Sequence, residues 1–207
     1  MNRLLVSIAF FVLSSCLGQS FQSSLDQSAF KQALTEKSAS TFTIEAGFTE
    51  SLFSTLLKAP KTTYGNLAYS TKGGLRWEKT SPYSEVIISD GTIVKQQKNG
   101  QLIKDSGAVR VFKKMESLMS VLLSASFLES DQFELTYIEN NSTVDLVLKP
   151  KRKNMAKHLS HIKLVFLKSN LALAELSIFE SASDYVHYIF TEVNYNTTLD
   201  PKLFTEL

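Results

Sequence analysis

Residues 64–79 read YGNLAYSTKGGLRWEK, and the fold prediction starts from this stretch. Two runs rich in aromatic and aliphatic residues, 64–70 and 75–79, flank Lys72-Gly73-Gly74, and glycine pairs in this setting are typical of β-hairpin turns. Leu75 and Trp77 stand two residues apart, so their side chains point to the same side of a strand. The stretch therefore predicts two antiparallel strands with one apolar face.

The strand pattern continues on both sides of this hairpin. Residues 41–49 alternate apolar with polar side chains, which places Phe42 and Ile44 on one side of a half-buried strand. Asp90-Gly91 is a pair typical of tight turns between strands. We predict further strands, in chain order, over residues 84–89, 92–97, 101–104, 133–139, 143–149, 162–167, 174–180 and 186–192.

Two segments show helical spacing instead. Residues 21–37 place apolar side chains on one face of a helix, and residues 113–128 do the same. The second segment carries Met115, Leu118, Met119, Leu122 and Leu123 on one face. Residues 149–157 read as a basic linker. Many short antiparallel strands with two helical interruptions predict a mainly antiparallel α+β fold, in which helices cover one mouth of a curled sheet or open barrel.

The first 18 residues have the features of an export signal. Arg3 precedes an apolar run over residues 4–13, which is shorter than the roughly 20 residues of a membrane-spanning helix. Two processing routes are open. Ordinary cleavage would leave Gln19 first, whereas LSSC (residues 13–16) resembles a lipobox in which Cys16 is acylated. Residues 19–207 have the length of a single domain.

Composition and motifs argue against several functional classes. The chain has 22 basic and 20 acidic residues, and this near-neutral balance gives no reason to expect a nucleic-acid partner. His158 and His161 lie in a lysine-rich stretch without further metal ligands nearby, and His187 lies in a predicted strand. There is no nucleophile elbow, P-loop or dinucleotide fingerprint. We therefore predict no enzyme activity, no metal and no cofactor.

An ordered set of motifs runs through the chain. Its members are Phe48-Thr49-Glu50, Tyr64-Gly65-Asn66-Leu67, Lys72-Gly73-Gly74-Leu75-Arg76-Trp77-Glu78, Pro82, Ile87-Ile88-Ser89-Asp90-Gly91, and a C-terminal stretch with Phe190, Asn194, Leu199 and Phe204. The set resembles the LolA family of outer-membrane lipoprotein carriers, with a pattern most like members from Bacteroidetes. The resemblance covers nearly all of residues 19–207, although residues 102–157 match in layout more than in motif.

The resemblance implies both a fold and a function. The fold is a strongly curved, incomplete β-barrel with helices forming a lid over a concave apolar face. The function is that of a monomeric periplasmic carrier, which binds the acyl chains of lipoproteins and carries them from the inner to the outer membrane. Its partners are acylated lipoproteins, an inner-membrane lipoprotein-releasing ABC transporter and an outer-membrane acceptor. The alternatives are a LolB-like acceptor anchored at Cys16, or a carrier of another amphiphile such as a glycolipid.

The resemblance also implies which residues line an acyl-chain cavity. The predicted lining is Phe42, Ile44, Leu75, Trp77, Ile87, Met115, Leu118, Met119 and Leu122, with the last four on the underside of the lid. Alternation within the strand makes Val86 and Ile88 rivals of Ile87. Ordinary core packing is the alternative role for every residue of this set.

One departure from the family pattern concerns cargo release. Proteobacterial members often have an Arg-Pro pair just before the Leu75 strand, and the family's arginine is tied to lid closure and release. Thr71-Lys72-Gly73 occupies this place. Lys72 can donate to lid carbonyls, but an ammonium group lacks the rigid fork of a guanidinium group. The sequence therefore does not predict the same release mechanism.

Overall fold

One antiparallel sheet organises the computed structural model, which describes residues 26–72, 74–103 and 125–207. Within these residues the eleven strands are β1 (Thr43–Phe53), β2 (Lys61–Ser70), β3 (Gly74–Ser81), β4 (Glu85–Ser89), β5 (Val94–Lys98), β6 (Gln101–Ile103), β7 (Phe133–Glu139), β8 (Thr143–Pro150), β9 (His161–Leu167), β10 (Leu173–Phe179) and β11 (Tyr185–Tyr195). Their order across the sheet is β6-β5-β4-β3-β2-β1-β11-β10-β9-β8-β7. β6 and β7 are the two edges, so the sheet is not closed. The predicted curved, incomplete barrel is confirmed.

Helices are a minor component of the described residues. α1 (Gln27–Ala39) has three turns, and α2 (Lys153–Ala156) has one. Two short 3-10 helices occupy Ser126–Glu129 and Pro201–Phe204. In this part of the chain no helix is both long and apolar enough to cross a membrane.

Every predicted strand has a counterpart, and the differences lie at the strand ends. β1 was expected to end at residue 49 but continues to Phe53, and β2 begins at Lys61 rather than at residue 64. The two strands pair without interruption from Thr43 opposite Ser70 to Leu52 opposite Lys61. Pairing between the two strands therefore extends both of them beyond the residues whose apolar and polar side chains alternate in sequence.

The first helix begins later than predicted. Helical spacing suggested residues 21–37, whereas α1 begins at Gln27. The Asp26 carboxylate accepts hydrogen bonds of 3.0 Å from the backbone N–H groups of Ser28 and Ala29. This is the bonding of a helix N-cap, whose own backbone is not helical, so the prediction of one continuous helix across Asp26 is wrong. Residues 21–25 lie outside the described residues.

The second predicted helix and the basic linker also differ from expectation. Ala125 has a left-handed backbone (φ 53°), and a 3-10 helix follows it, so an α-helix does not extend to residue 128. Met115, Leu118, Met119, Leu122 and Leu123 lie outside the described residues. The predicted linker over residues 149–157 includes the end of β8 and the single turn α2.

The core lies on one side of the sheet, which we call the inner face. Ala46, Leu67 and Trp77 pair in register across β1, β2 and β3, and paired residues of antiparallel strands project to the same side. α1 packs on this side through Phe30, whose ring meets Tyr137 edge-on at 6.3 Å. The opposite side, the outer face, is largely polar, as is usual for an antiparallel sheet with one packed face.

Candidate functional site

An aromatic cluster occupies the middle of the inner face. Trp77 stacks on Phe48 with ring centroids 4.3 Å apart, and Tyr188 meets Trp77 edge-on at 5.5 Å. The Phe48 ring lies over Gly65, where an added Cβ atom would come within 2.5 Å of the ring and 2.0 Å of the Glu78 carbonyl oxygen. Glycine at residue 65 therefore lets the ring lie flat against β2.

One end of the inner face, near the start of β1, is apolar and hollow; we call it the apolar end. A depression there holds about 330 Å³ of empty space, including space open to solvent. Its lining is Ile44, Ala46, Leu67, Leu173, Phe190, Val193 and Tyr195. A second depression of about 380 Å³ shares Ile44, Leu173 and Tyr195 with the first and extends to Leu34 of α1. Together they form an apolar recess between the sheet and the last turn of α1.

A backbone irregularity brings the end of β11 into this recess. Phe48 pairs with Phe190 and Ile44 pairs with Tyr195, so β11 has one residue more than β1 over the same length. Glu192, with φ 52°, lies in this irregular stretch. An extra residue of this kind is a β-bulge, and it shifts the alternation of β11 by one residue. The side chains that would otherwise point to the outer face after the bulge point to the inner face instead. Val193 and Tyr195 therefore line the recess together with Phe190.

Lys37 stands where α1 borders the recess. Its ammonium group lies 4.0 Å from the centroid of the Tyr195 ring and donates a 2.5 Å hydrogen bond to the Asn170 carbonyl oxygen. Burial lowers the pKa of Lys37. The cation is thus already engaged by the protein, and the remaining recess lining is mostly hydrocarbon and aromatic.

The other end of the inner face, near the end of β1, has an ion pair among its apolar side chains; we call it the polar end. Lys79 Nζ and Glu50 Oε1 are 2.7 Å apart, with side chains only 16% and 14% exposed. Burial by itself lowers the pKa of Lys79, but the hydrogen bond and charge of Glu50 outweigh it, so the pKa is raised. Burial, and then Glu50, raise the pKa of Tyr188 well above its usual range. At neutral pH Lys79 is therefore charged and Tyr188 is not.

A cleft opens at the polar end. It holds about 900 Å³ of empty space, including space open to solvent. Its lining is Glu50, Leu52, Lys61, Thr62, Thr63, Pro82 and Tyr83. Thr63 is buried, and no hydrogen-bond partner for its Oγ1 is found within the described residues. The cleft therefore has in its wall the carboxylate of a shielded ion pair and a hydroxyl without a partner among the described residues.

The predicted cavity residues lie in different parts of the structure. Leu75 and Trp77 are buried in the inner-face cluster, and Ile44 lines the apolar recess. Ile87 pairs directly with Trp77 and packs against the same cluster. Phe42 lies before β1, is 58% exposed and is not brought into the cluster. The predicted lid residues Met115, Leu118, Met119 and Leu122 lie outside the described residues, so their role stays a prediction.

Val86 and Ile88, the alternatives to Ile87 as lining residues, lie on the outer face. Val86 and Ile88 pair with Glu78 and Arg76, on the side where the 3-10 helix Pro201–Phe204 contacts β3 and β4. Arg76 Nη1 donates to the carbonyl oxygens of Leu203 (3.3 Å) and Glu206 (3.0 Å). Val86 and Ile88 are therefore buried on the side away from the recess.

Sequence reasoning missed most of the inner-face residues near the C-terminus. Leu173, Tyr188, Phe190, Val193 and Tyr195 all belong to the cluster or the recess. The alternation of Val186, Tyr188 and Phe190 was a usable signal for β11. The change of phase after the bulge had no comparable signal, because Glu192 has no glycine or proline beside it.

No described residues form a convincing catalytic or metal site. No group of three or more potential metal ligands occurs in residues 26–72, 74–103 and 125–207. Ser177 Oγ lies 3.2 Å from His187 Nδ1, and His187 Nε2 lies 3.6 Å from a Glu175 carboxylate oxygen, which is too long for a hydrogen bond. These three side chains stand on the outer face of β10 and β11, and Ser177 is buried. The arrangement resembles a triad in composition, but the carboxylate does not hydrogen-bond the imidazole as a triad requires.

Comparison with known proteins links the chain to one family. The family model described as "Outer membrane lipoprotein carrier protein LolA" matches residues 39–206. The outer-membrane lipoprotein carrier protein of Pseudomonas aeruginosa is 27% identical to the chain over 94% of this chain and 91% of that protein.

Solved structures resemble the chain at low identity. A LolA superfamily protein from Nitrosomonas europaea gives a TM-score of 0.42 at 12% identity, covering 85% of this chain and 97% of that chain. A chain of the Pseudomonas aeruginosa MucA/MucB complex gives a TM-score of 0.46 at 11% identity over 86% of this chain. The present chain spans 60% of the length of that neighbour.

Proposed function

The chain belongs to the LolA family, and from that premise we propose that it is a periplasmic carrier for the acyl chains of lipoproteins. In this role it takes lipoproteins from an inner-membrane lipoprotein-releasing ABC transporter, shields their chains and delivers them to the outer membrane, where an acceptor receives them. It acts as a monomer and performs no catalysis.

The physical demand on such a carrier is large. Each methylene buried from water contributes about 0.8 kcal/mol, so an exposed chain of about 16 carbons costs on the order of 12 kcal/mol. The binding surface must be apolar and non-directional, because chains differ and must also be released. Directional polar contacts along the chains would work against both requirements.

The apolar recess is the single observation that best supports the proposal. It combines side chains from β1, β2, β10 and β11 with the last turn of α1, and its lining is mostly hydrocarbon and aromatic. We infer that acyl chains lie against this apolar end of the inner face.

The experiment that tests the proposal is depletion of the protein in its native cell. Outer-membrane lipoproteins are expected to accumulate at the inner membrane, and the full-length chain supplied in trans is expected to restore their sorting. Normal sorting after complete depletion would remove the proposal. Lipid extraction from the purified protein separates a lipoprotein carrier from a glycolipid carrier.

The sequence LSSC at residues 13–16 supports one alternative, a membrane-anchored acceptor. Mass spectrometry of the mature N-terminus distinguishes the two. An acylated Cys16 identifies an anchored acceptor, whereas an unmodified N-terminus near Gln19 identifies a soluble carrier.

A further inference from the structure

On β1 and β3 the inner face changes from apolar to polar at one level, and one pair further along it is apolar again, with Leu52 of β1 opposite Val186 of β11. On β1, Glu50 follows Phe48 by two residues, and on β3, Lys79 follows Trp77 by two. All four side chains lie on the inner face. Because a strand advances about 3.3 Å per residue, the change takes place within about 7 Å. Such a boundary matches an amphiphile at the point where its hydrocarbon chains join a polar group.

Thr63 is the distinctive side chain on the polar side of this boundary. It is 6% exposed, pairs with Glu50 across β1 and β2, and lines the cleft of the polar end. No group in the described residues bonds to its Oγ1. Buried hydroxyls are nearly always hydrogen-bonded, so a water molecule or a ligand group in the cleft can supply the partner of this one.

The charges around the cleft favour an uncharged partner. Glu50 is neutralised by Lys79 at 2.7 Å, and both side chains are shielded from solvent. Lys61 also lines the cleft, but it is exposed, so water and salt screen its charge. A carbonyl oxygen accepts a hydrogen bond without bringing a charge, and it fits this wall better than a phosphate.

We propose that the cleft binds the carbonyl groups that join acyl chains to a lipidated cysteine, with Thr63 Oγ1 as a donor. This inference rests on the proposed carrier function and adds to it the orientation of the bound lipid. The hydrocarbon chains lie toward the apolar recess at Ile44 and Tyr195. The ester linkages lie at Thr63, and the cysteine and its peptide leave the protein past Tyr83.

The test compares two synthetic diacylglyceryl lipopeptides with identical chains, one ester-linked and one ether-linked. The ether analogue lacks the carbonyl oxygens. The wild-type chain is expected to bind the ester on the order of fivefold more tightly, the effect of one typical hydrogen bond. Thr63→Val is expected to remove this preference without weakening ether binding, and Thr63→Ser to retain it. Thr136→Val, on an exposed position of β7, is the matched control.

Each outcome decides between the two proposals. Equal binding of ester and ether by the wild-type chain, or a preference that survives in a folded Thr63→Val variant, overturns the assignment of the cleft and leaves the carrier function in place. Failure of the wild-type chain to bind either lipopeptide overturns the carrier function. The wild-type ester preference can be measured whether or not the valine variant folds, and Thr63→Ala provides a smaller replacement.

Discussion

The two ends of the inner face are built by the same strands but differ in chemistry. β1 contributes Ile44 to the apolar end and Glu50 to the polar end, while β11 contributes Tyr195 and Tyr188. The apolar end has a hollow lined mainly by hydrocarbon. The polar end has a shielded ion pair beside a wider cleft.

This difference shows how one curved sheet can present an amphiphilic surface without a second domain. Side chains of one face recur every second residue, so a change of residue type along the strand becomes a change of polarity along the face. The aromatic cluster of Phe48, Trp77 and Tyr188 separates the two ends. Substitutions at the cluster and at each end therefore test separate parts of the comparison.

The largest effect is expected from Phe48→Ala at the cluster. It removes the stacking on Trp77 and opens a cavity over Gly65, and such losses cost about 3–5 kcal/mol. Urea unfolding measures the change. Phe53→Ala is the matched control, because Phe53 stacks on Tyr185 at the same 4.3 Å but is only partly buried. Equal losses in the two variants would show that the cluster has no special place in the fold.

A smaller effect on stability is expected from Lys79→Met at the polar end. The substitution leaves Glu50 buried without its partner, at a cost of about 3 kcal/mol in the free energy of unfolding. The double variant Lys79→Met/Glu50→Gln removes both charges and is expected to recover most of this loss. A double variant less stable than the single one, in the same urea titration, would contradict the ion-pair interpretation.

Val193→Glu tests the apolar end through binding. A carboxylate in the recess is expected to weaken binding of a fluorescent acyl probe by about tenfold or more, because the charge loses water when the chain enters. Ile189→Glu is the matched control, since Ile189 is on the same strand but on the outer face and 44% exposed. If both variants bind the probe as tightly as the wild type, the recess is not the acyl-chain site.

The smallest effect concerns the loop that follows β1 at the polar end. Hydrogen bonds from the Thr55 backbone N–H and the Ser54 and Ser181 hydroxyls lower the pKa of Asp184 from 3.8 to about 2. A lowered folded-state pKa contributes stability that is present above about pH 4 and is lost as pH falls toward 2. Asp184→Asn is therefore expected to flatten the dependence of Tm on pH between 4 and 2. Parallel Tm curves for the two proteins would contradict this.

Much of the sheet could be predicted from local patterns, because strand alternation and turn residues are local properties. Choosing which side of a strand faces inward was harder. Alternation did not decide whether Ile87, or Val86 and Ile88, face inward. Only the register with Trp77 places Ile87 on the inner face. Register depends on the partner strand, which the residues of one strand do not specify.

The polar end could not be predicted for the same reason. Glu50 and Lys79 are separated by 29 residues and belong to strands with β2 between them. Each residue by itself reads as an ordinary polar member of an alternating strand. The recess was only partly foreseen, because Ile44 was identified while Val193 and Tyr195 reach it through a bulge.

The sheet has two open edges. β6 and β7 stand at opposite ends of the strand order, and no ladder joins them within the described residues. In a closed barrel, the strand number and shear fix the radius, so widening requires a ladder of backbone hydrogen bonds to break or shift. In an open sheet a change of twist alters the distance between the edge strands without breaking any ladder.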